Sequence, residues 1–172
     1  KYSQQYGVDE AFIRAIIRQE TGHLVTANRM VRAVSPAGAG GVGQLMPATA
    51  ARFGLSSAER FDPEKNIMAA TRYLSILLKM FNGNIKLAAA GYNAGEGAVK
   101  KYHNTVPPYA ETEKYVYRVA GYYTAFRQAT ESTVPSVQAV STGIQQSAQA
   151  AGQLKQNTQQ AATSAAANVP YW

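Results

Sequence analysis

Over the first three quarters of this chain the large apolar residues recur three or four positions apart, and no stretch alternates as a half-buried strand must. Phe12, Ile13, Ile16 and Ile17 make one such stripe; Ile67, Leu74, Leu77, Leu78 and Phe81 make a second; Tyr115, Val116, Val119, Tyr122, Tyr123 and Phe126 make a third. Helix punctuation brackets them. Asp9 stands where an N-cap is wanted, and Gly22 stands where a left-handed residue could close the same helix. Asp62-Pro63-Glu64 combines a cap, a proline for the first turn and an acid for the positive end of the dipole. Asn82-Gly83 ends that helix, and another is expected from about Ile85 to Tyr92. Asn93-Ala94-Gly95-Glu96-Gly97 reads as a break, after which a short helix resumes to about Tyr102. A short helix is expected from Pro47 to about Phe53, with Gly54 stopping it, and Pro107-Pro108 precedes the last long one. The fold class is all-α.

Composition removes several chemistries. Among 172 residues there is no cysteine, so disulfide scaffolds, zinc ribbons, iron–sulfur clusters and thiol nucleophiles are excluded. Only two histidines occur, His23 and His103, and a metal site is not expected. No apolar run approaches the roughly 20 residues of a membrane span. The first residues, Lys1 to Glu10, lack the apolar region of a signal peptide. A protein of this kind either is not exported by that route or is seen here in its mature or trimmed form.

Two regions differ sharply. Residues 1–128 hold 16 of the 17 Lys and Arg and 9 of the 10 acids, and so all of the +7 net charge. A basic body suits a polyanionic partner, such as nucleic acid or an acidic wall polymer. No helix-turn-helix, zinc spacing or ribonucleoprotein motif supports nucleic acid, and none is expected as a partner. Residues 129–172 are rich in Ala, Gln, Ser and Thr. Their thin apolar seam of Val134, Val137, Val140, Ile144 and Leu154 reads as a helix that needs a partner surface, or as disorder.

Glu20 is the most informative residue. It lies four residues past Ile16 and three past Ile17, in the middle of the first apolar stripe. A carboxyl group turned inward there loses hydration, and its pKa rises. An acid kept protonated near neutral pH can donate a proton. The competing reading is a helix-end glutamate that escapes to solvent. Downstream, Gly38, Gly40, Gly41 and Gly43 let backbone pass close to a ligand, and Gln44 offers a neutral donor and acceptor, as a sugar site would want.

These residues fall in ordered motifs. Arg18-Gln19-Glu20-Thr21-Gly22, Ser35-Pro36-Ala37-Gly38-Ala39, Gly41-Val42-Gly43-Gln44-Leu45-Met46-Pro47, Ala90-Gly91-Tyr92-Asn93-Ala94-Gly95 and Glu111-Thr112-Glu113-Lys114-Tyr115-Val116 resemble the soluble lytic transglycosylase catalytic domain. The resemblance covers about residues 1–128. It implies a lysozyme-like helical fold and cleavage of the β-1,4 bond between N-acetylmuramic acid and N-acetylglucosamine in peptidoglycan, with no cofactor. It makes Glu20 the catalytic acid/base. Ser35, Gln44, Met46, Tyr92 and Glu111 match positions that line the glycan cleft, and Thr21 and Asn93 match supporting ones. The pattern departs at Thr21, where serine is usual, and at Gly43, where a methionine is usual and the cleft floor is expected to be looser. It departs also at Gly91, where alanine is usual, and in a longer segment between Glu20 and Ser35.

Ordinary glycosidases need two carboxyl groups flanking the bond. Here the remaining body acids mostly sit at expected helix starts, which suits a one-acid mechanism; that it ends in 1,6-anhydro-muramic acid is what the resemblance implies. The rivals are a lysozyme-type hydrolase and a catalytically weakened assembly module. The expected setting is the periplasm or envelope of a bacterium, as an accessory of a secretion or conjugation apparatus, or a phage virion. The segment 129–172 is expected to dock on an assembly partner or a second copy.

Overall fold

Asp9 opens the first long helix as the sequence requires: its carboxylate accepts from the Ala11 N–H at 2.9 Å, and Glu10 follows in the first turn. The computed structural model describes residues 1–22, 32–133, 145–147, 149, 152, 153 and 156. The chain divides into two units, residues 1–129 and 130–172.

In the first unit the order is α1 (Tyr2–Tyr6), α2 (Glu10–Thr21), α3 (Pro47–Arg52), a 3-10 turn (Glu59–Phe61), α4 (Pro63–Met80), α5 (Ile85–Ala94), α6 (Glu96–Lys101) and α7 (Ala110–Thr133), which runs on into the second unit. The described residues contain no strand, only isolated bridges that pair Gly40 with Val34 and with Leu45 inside the long loop. Asp62 caps α4 through the Lys65 N–H at 2.9 Å, and Asn84 caps α5 through the Leu87 N–H at 3.1 Å.

Two details differ from the sequence expectation. Gly22 closes α2 at φ −60°, in the right-handed region, so it does not supply a left-handed turn. A Cβ there would lie 2.4 Å from the Arg18 carbonyl oxygen, so glycine is needed for space, not for handedness. The break expected over residues 93–97 narrows to Gly95 at φ +85°, with Asn93 and Ala94 in α5 and Glu96 and Gly97 in α6. Gly91, where the family pattern has alanine, is closely packed: a Cβ would meet the side-chain ends of Leu77 at 2.9 Å and Phe81 at 3.1 Å, which would have to shift to admit it.

The core joins α2, α4, α5 and α7. Phe12, Ile16, Leu45, Leu74, Leu77 and Val119 are all fully buried. Each such side chain contributes about 1.5–3 kcal/mol, against about 0–1 kcal/mol for an exposed ion pair such as Arg14–Glu10. Packing therefore holds α2 in place. In the second unit residues 145–147, 149, 152, 153 and 156 are helical. The seam at Val134, Val137, Val140, Ile144 and Leu154 lies outside the described residues, as does His23.

Candidate active site

The last turn of α2 presents Glu20 towards α7. Tyr115, on the buried face of α7, donates its hydroxyl to Glu20 Oε1 at 2.6 Å across 95 residues of sequence. Glu20 is half-buried, less enclosed than the middle of the stripe implied; Thr21 beside it is the fully buried residue. Loss of hydration still dominates the carboxyl group. Burial pushes its pKa from 4.5 up to about 7, the Tyr115 hydroxyl draws it down, and the negative charge of Glu111 raises it. Its place at the C-terminal end of a helix, where carbonyl dipoles disfavour an anion, acts in the same direction as burial.

Glu111 and Tyr115 are one turn apart on α7, so they share a face. Glu111 is exposed in the first turn of that helix. Tyr92 comes from α5. Its hydroxyl donates to the Gly43 carbonyl at 2.6 Å, and burial first, then the nearby charge of Glu20, raises its pKa. Tyr115 responds likewise to burial and then to Glu20, with Tyr92 as a further neighbour. Glu20, Tyr92 and Tyr115 thus form one cluster contributed by three helices.

Beside the cluster lies a cavity of about 270 Å³ lined by Leu45, Met46, Thr49, Tyr73, Tyr92 and Asn93. Met46 is 44% exposed at the N-cap of α3, free to meet a ligand. Asn93 is committed to the scaffold: its Oδ1 accepts from the Thr112 hydroxyl at 2.8 Å, pinning α5 to α7. Thr21 donates to the Ile17 carbonyl at 2.7 Å and steadies the turn that carries Glu20. A wider groove of about 790 Å³ passes Lys86, Tyr117 and Arg118 on another face of α7 and includes none of the candidate residues.

Two candidates are held by the loop they were expected to serve. The Ser35 hydroxyl accepts from the Ala39 N–H at 3.0 Å, closing its own turn. Gln44 adopts φ +47°, and its amide nitrogen donates to the carbonyls of Gly41 at 2.8 Å and Ala33 at 3.1 Å. The floor around Gly43 is not loose. A Cβ there would lie 2.9 Å from Asn66 Oδ1 and 3.0 Å from both Ala70 Cβ and the Tyr92 hydroxyl, so neighbouring groups already fill the space.

Sequence reasoning treated Tyr115 as a core residue and motif member and did not connect it to Glu20; helix periodicity alone cannot pair two side chains so distant. It also passed over Tyr73, whose ring lies 5.5 Å from that of Tyr92. No group of His, Asp and Glu side chains able to hold a metal occurs among the described residues.

The chain belongs to the transglycosylase SLT domain family, whose profile matches residues 1–115. It is 31% identical over 147 residues to the soluble lytic murein transglycosylase of Escherichia coli K12, covering 74% of this chain and 22% of that protein. The chain thus spans less than a quarter of that relative's length. Among solved structures it resembles the lytic transglycosylase Slt of Pseudomonas aeruginosa, determined as an inactive mutant, with TM-score 0.64 and 32% identity over 78% of this chain and 24% of that one. It also resembles the 70-kDa soluble lytic transglycosylase of Escherichia coli, with TM-score 0.65 and 30% identity over 75% of this chain and 23% of that one. The all-α, lysozyme-like character of the body agrees with these neighbours.

Proposed function

We propose that this chain is a peptidoglycan lytic transglycosylase with Glu20 as its single acid/base. The observation that carries this reading is a carboxyl group at about 7, hydrogen-bonded to Tyr115 and within electrostatic reach of Tyr92, which lines a cavity. Near neutral pH much of it is protonated, as a general acid must be. Glu20 gives its proton to the glycosidic oxygen as the bond to the muramic C1 breaks, and the substrate's acetamido oxygen closes onto C1. The Glu20 carboxylate then takes the proton of the C6 hydroxyl as O6 displaces the acetamido oxygen. A 1,6-anhydro-muramic end results and no water is consumed.

Met46 and Tyr92 would contact the glycan, Ser35 and Gln44 would shape the loop beside it, and Glu111 would tune Glu20. Thr21 and Asn93 would hold the frame. The basic body suits a polymer whose stem peptides carry carboxylates. The proposed setting is the bacterial envelope or a phage virion that opens the wall locally, with 1–128 as the catalytic part and 129–172 as a docking segment. No described helix is long and apolar enough to cross a membrane.

Glu111 supports a second reading. Its carboxylate is exposed and within electrostatic reach of Glu20, so it could activate water as a hydrolase requires. Mass spectrometry of digested sacculi separates the two. Muropeptides lighter by one water than lysozyme products are expected; predominantly reducing ends would make the protein a hydrolase.

A further inference from the structure

Asn66 is fully buried in the first turn of α4, yet none of its side-chain bonds serves that helix. Oδ1 accepts from the Gly43 N–H at 2.7 Å. Nδ2 donates to the carbonyls of Gly40 at 3.1 Å and Arg60 at 2.8 Å. The loop comes so close that a Cβ on Gly41 would lie 2.4 Å from Nδ2. Gly43 is therefore gripped on both sides, its N–H by Asn66 and its carbonyl by Tyr92 at 2.6 Å. Gln44 follows at once in its left-handed conformation, and the Met46 N-cap lies two residues on.

We propose that Asn66 is a positioning residue for glycan cleavage: it fixes Gly43 and Gln44 against Tyr92 and so sets the wall of the cleft that carries Gln44, Met46 and Tyr92. This rests on the transglycosylase reading above. A buried amide, two of whose three bonds run to loop backbone over 20 residues away, locks the loop in a way that apolar packing, which has no direction, cannot. Displacement of a positioned group by about 1 Å can cost about 100-fold in rate. Asn66 is fully buried and its side chain bonds to backbone, so its removal acts through loop geometry.

The test uses the full chain with Asn66→Ala, the isosteric Asn66→Asp, and Val8→Ala as a control that removes buried volume beside the end of α2 away from Glu20. All are assayed on soluble glycan strands well below their melting temperatures. Asn66→Ala should lose about 30-fold or more in kcat with KM changed by less than about threefold. Asn66→Asp keeps the acceptor for Gly43 and one donor when protonated, so it should retain more activity, and it remains informative if the alanine variant does not fold. Val8→Ala should stay within about twofold of wild type in kcat. Wild-type kcat in both Asn66 variants, or an equal loss in the control, overturns the proposal. Exchange of the Gly43 amide proton, followed by NMR, separates this from failure of the functional reading. A wild type that does not cleave glycan overturns that reading, and the positioning role then stands only if exchange accelerates in the variant that lost the acceptor, Asn66→Ala or, should it not fold, Asn66→Ser.

Discussion

Two glutamates of the body each accept a hydrogen bond from a buried tyrosine, and they end in opposite states. Glu20 Oε1 takes the Tyr115 hydroxyl at 2.6 Å, and its pKa stands at about 7. Glu96 Oε2 takes the Tyr73 hydroxyl at 2.5 Å, and its pKa lies below the usual carboxylate range. Burial works against ionisation of both. At Glu96 it is outweighed by the tyrosine, the residue's own backbone N–H and Arg52, whose Nη1 lies 2.8 Å from Oε1. At Glu20 the Tyr115 hydroxyl alone works against burial, and the neighbouring charge is another carboxylate, Glu111, which adds to it. Helix polarity reinforces the contrast, since Glu96 begins α6 and Glu20 nearly ends α2. A tyrosine partner alone therefore does not decide the charge of an acid; the cation and the end of the helix do.

This contrast can be broken first at the acids themselves. Glu20→Gln should lower peptidoglycan turnover by about 100-fold or more, measured by release of soluble muropeptides, while Glu96→Gln should keep turnover within about threefold. Stability should separate them next. Protonated Glu20 is favoured in the folded state between pH 4.5 and about 7, so stability is full below that window and is lost as pH rises through it. Denaturant titrations should show Glu20→Gln gaining on wild type from pH 5 to pH 8, by on the order of 2 kcal/mol. For Glu96 the sign reverses. Its folded carboxyl is lowered, so its contribution is present above the ordinary carboxylate range and fades as pH falls through the folded value. Glu96→Gln should cost about 1 kcal/mol or less at pH 7 and nothing in acid.

Tyrosine removal sharpens the comparison further. Tyr115→Phe takes away a bond that favours the Glu20 carboxylate, so the pH profile of cleavage should move towards higher pH, with kcat reduced about tenfold. The smallest effect is expected from Glu111→Gln, which removes the like charge and should shift the same profile towards lower pH. A profile that moves the other way in either variant would show that the named neighbour does not act on Glu20 as described.

Much of this body was legible in sequence because its signals are local. Asp9, Asp62-Pro63 and Asn82-Gly83 mark helix ends by chemistry acting within a few residues. Glu20 stood out because a charge in an apolar stripe is a local anomaly. What stayed hidden depended on partners far along the chain. Tyr115 meets Glu20 only after α7 packs, and the crowding at Gly43 comes from Asn66, Ala70 and Tyr92 on two other helices. Gly43 looked like a loosened position because a missing side chain was read as free space. Packing had filled that space from the opposite side. Ser35 and Gln44 sat in the right motifs, but their side chains hold the loop itself, which motif matching cannot tell from contact with a ligand.

Asp9 does more than cap α2. The oxygen that faces away from Ala11, Oδ2, accepts from the Tyr123 hydroxyl at 3.0 Å and from Arg127 Nη1 at 2.9 Å. The start of the helix that carries the acid is thus fastened to α7 across 118 residues of sequence, and its other end meets Tyr115 across 95. Closing loops of that length is an entropic barrier met only late in folding. During synthesis, a nascent chain that has emerged only as far as α6 lacks Tyr115, Tyr123 and Arg127, so Glu20 has neither its hydroxyl partner nor its fixed helix. The environment that sets the charge of Glu20 is therefore completed by nearly the last segment of the body to leave the ribosome, so under the proposed function an unfinished chain would lack its acid.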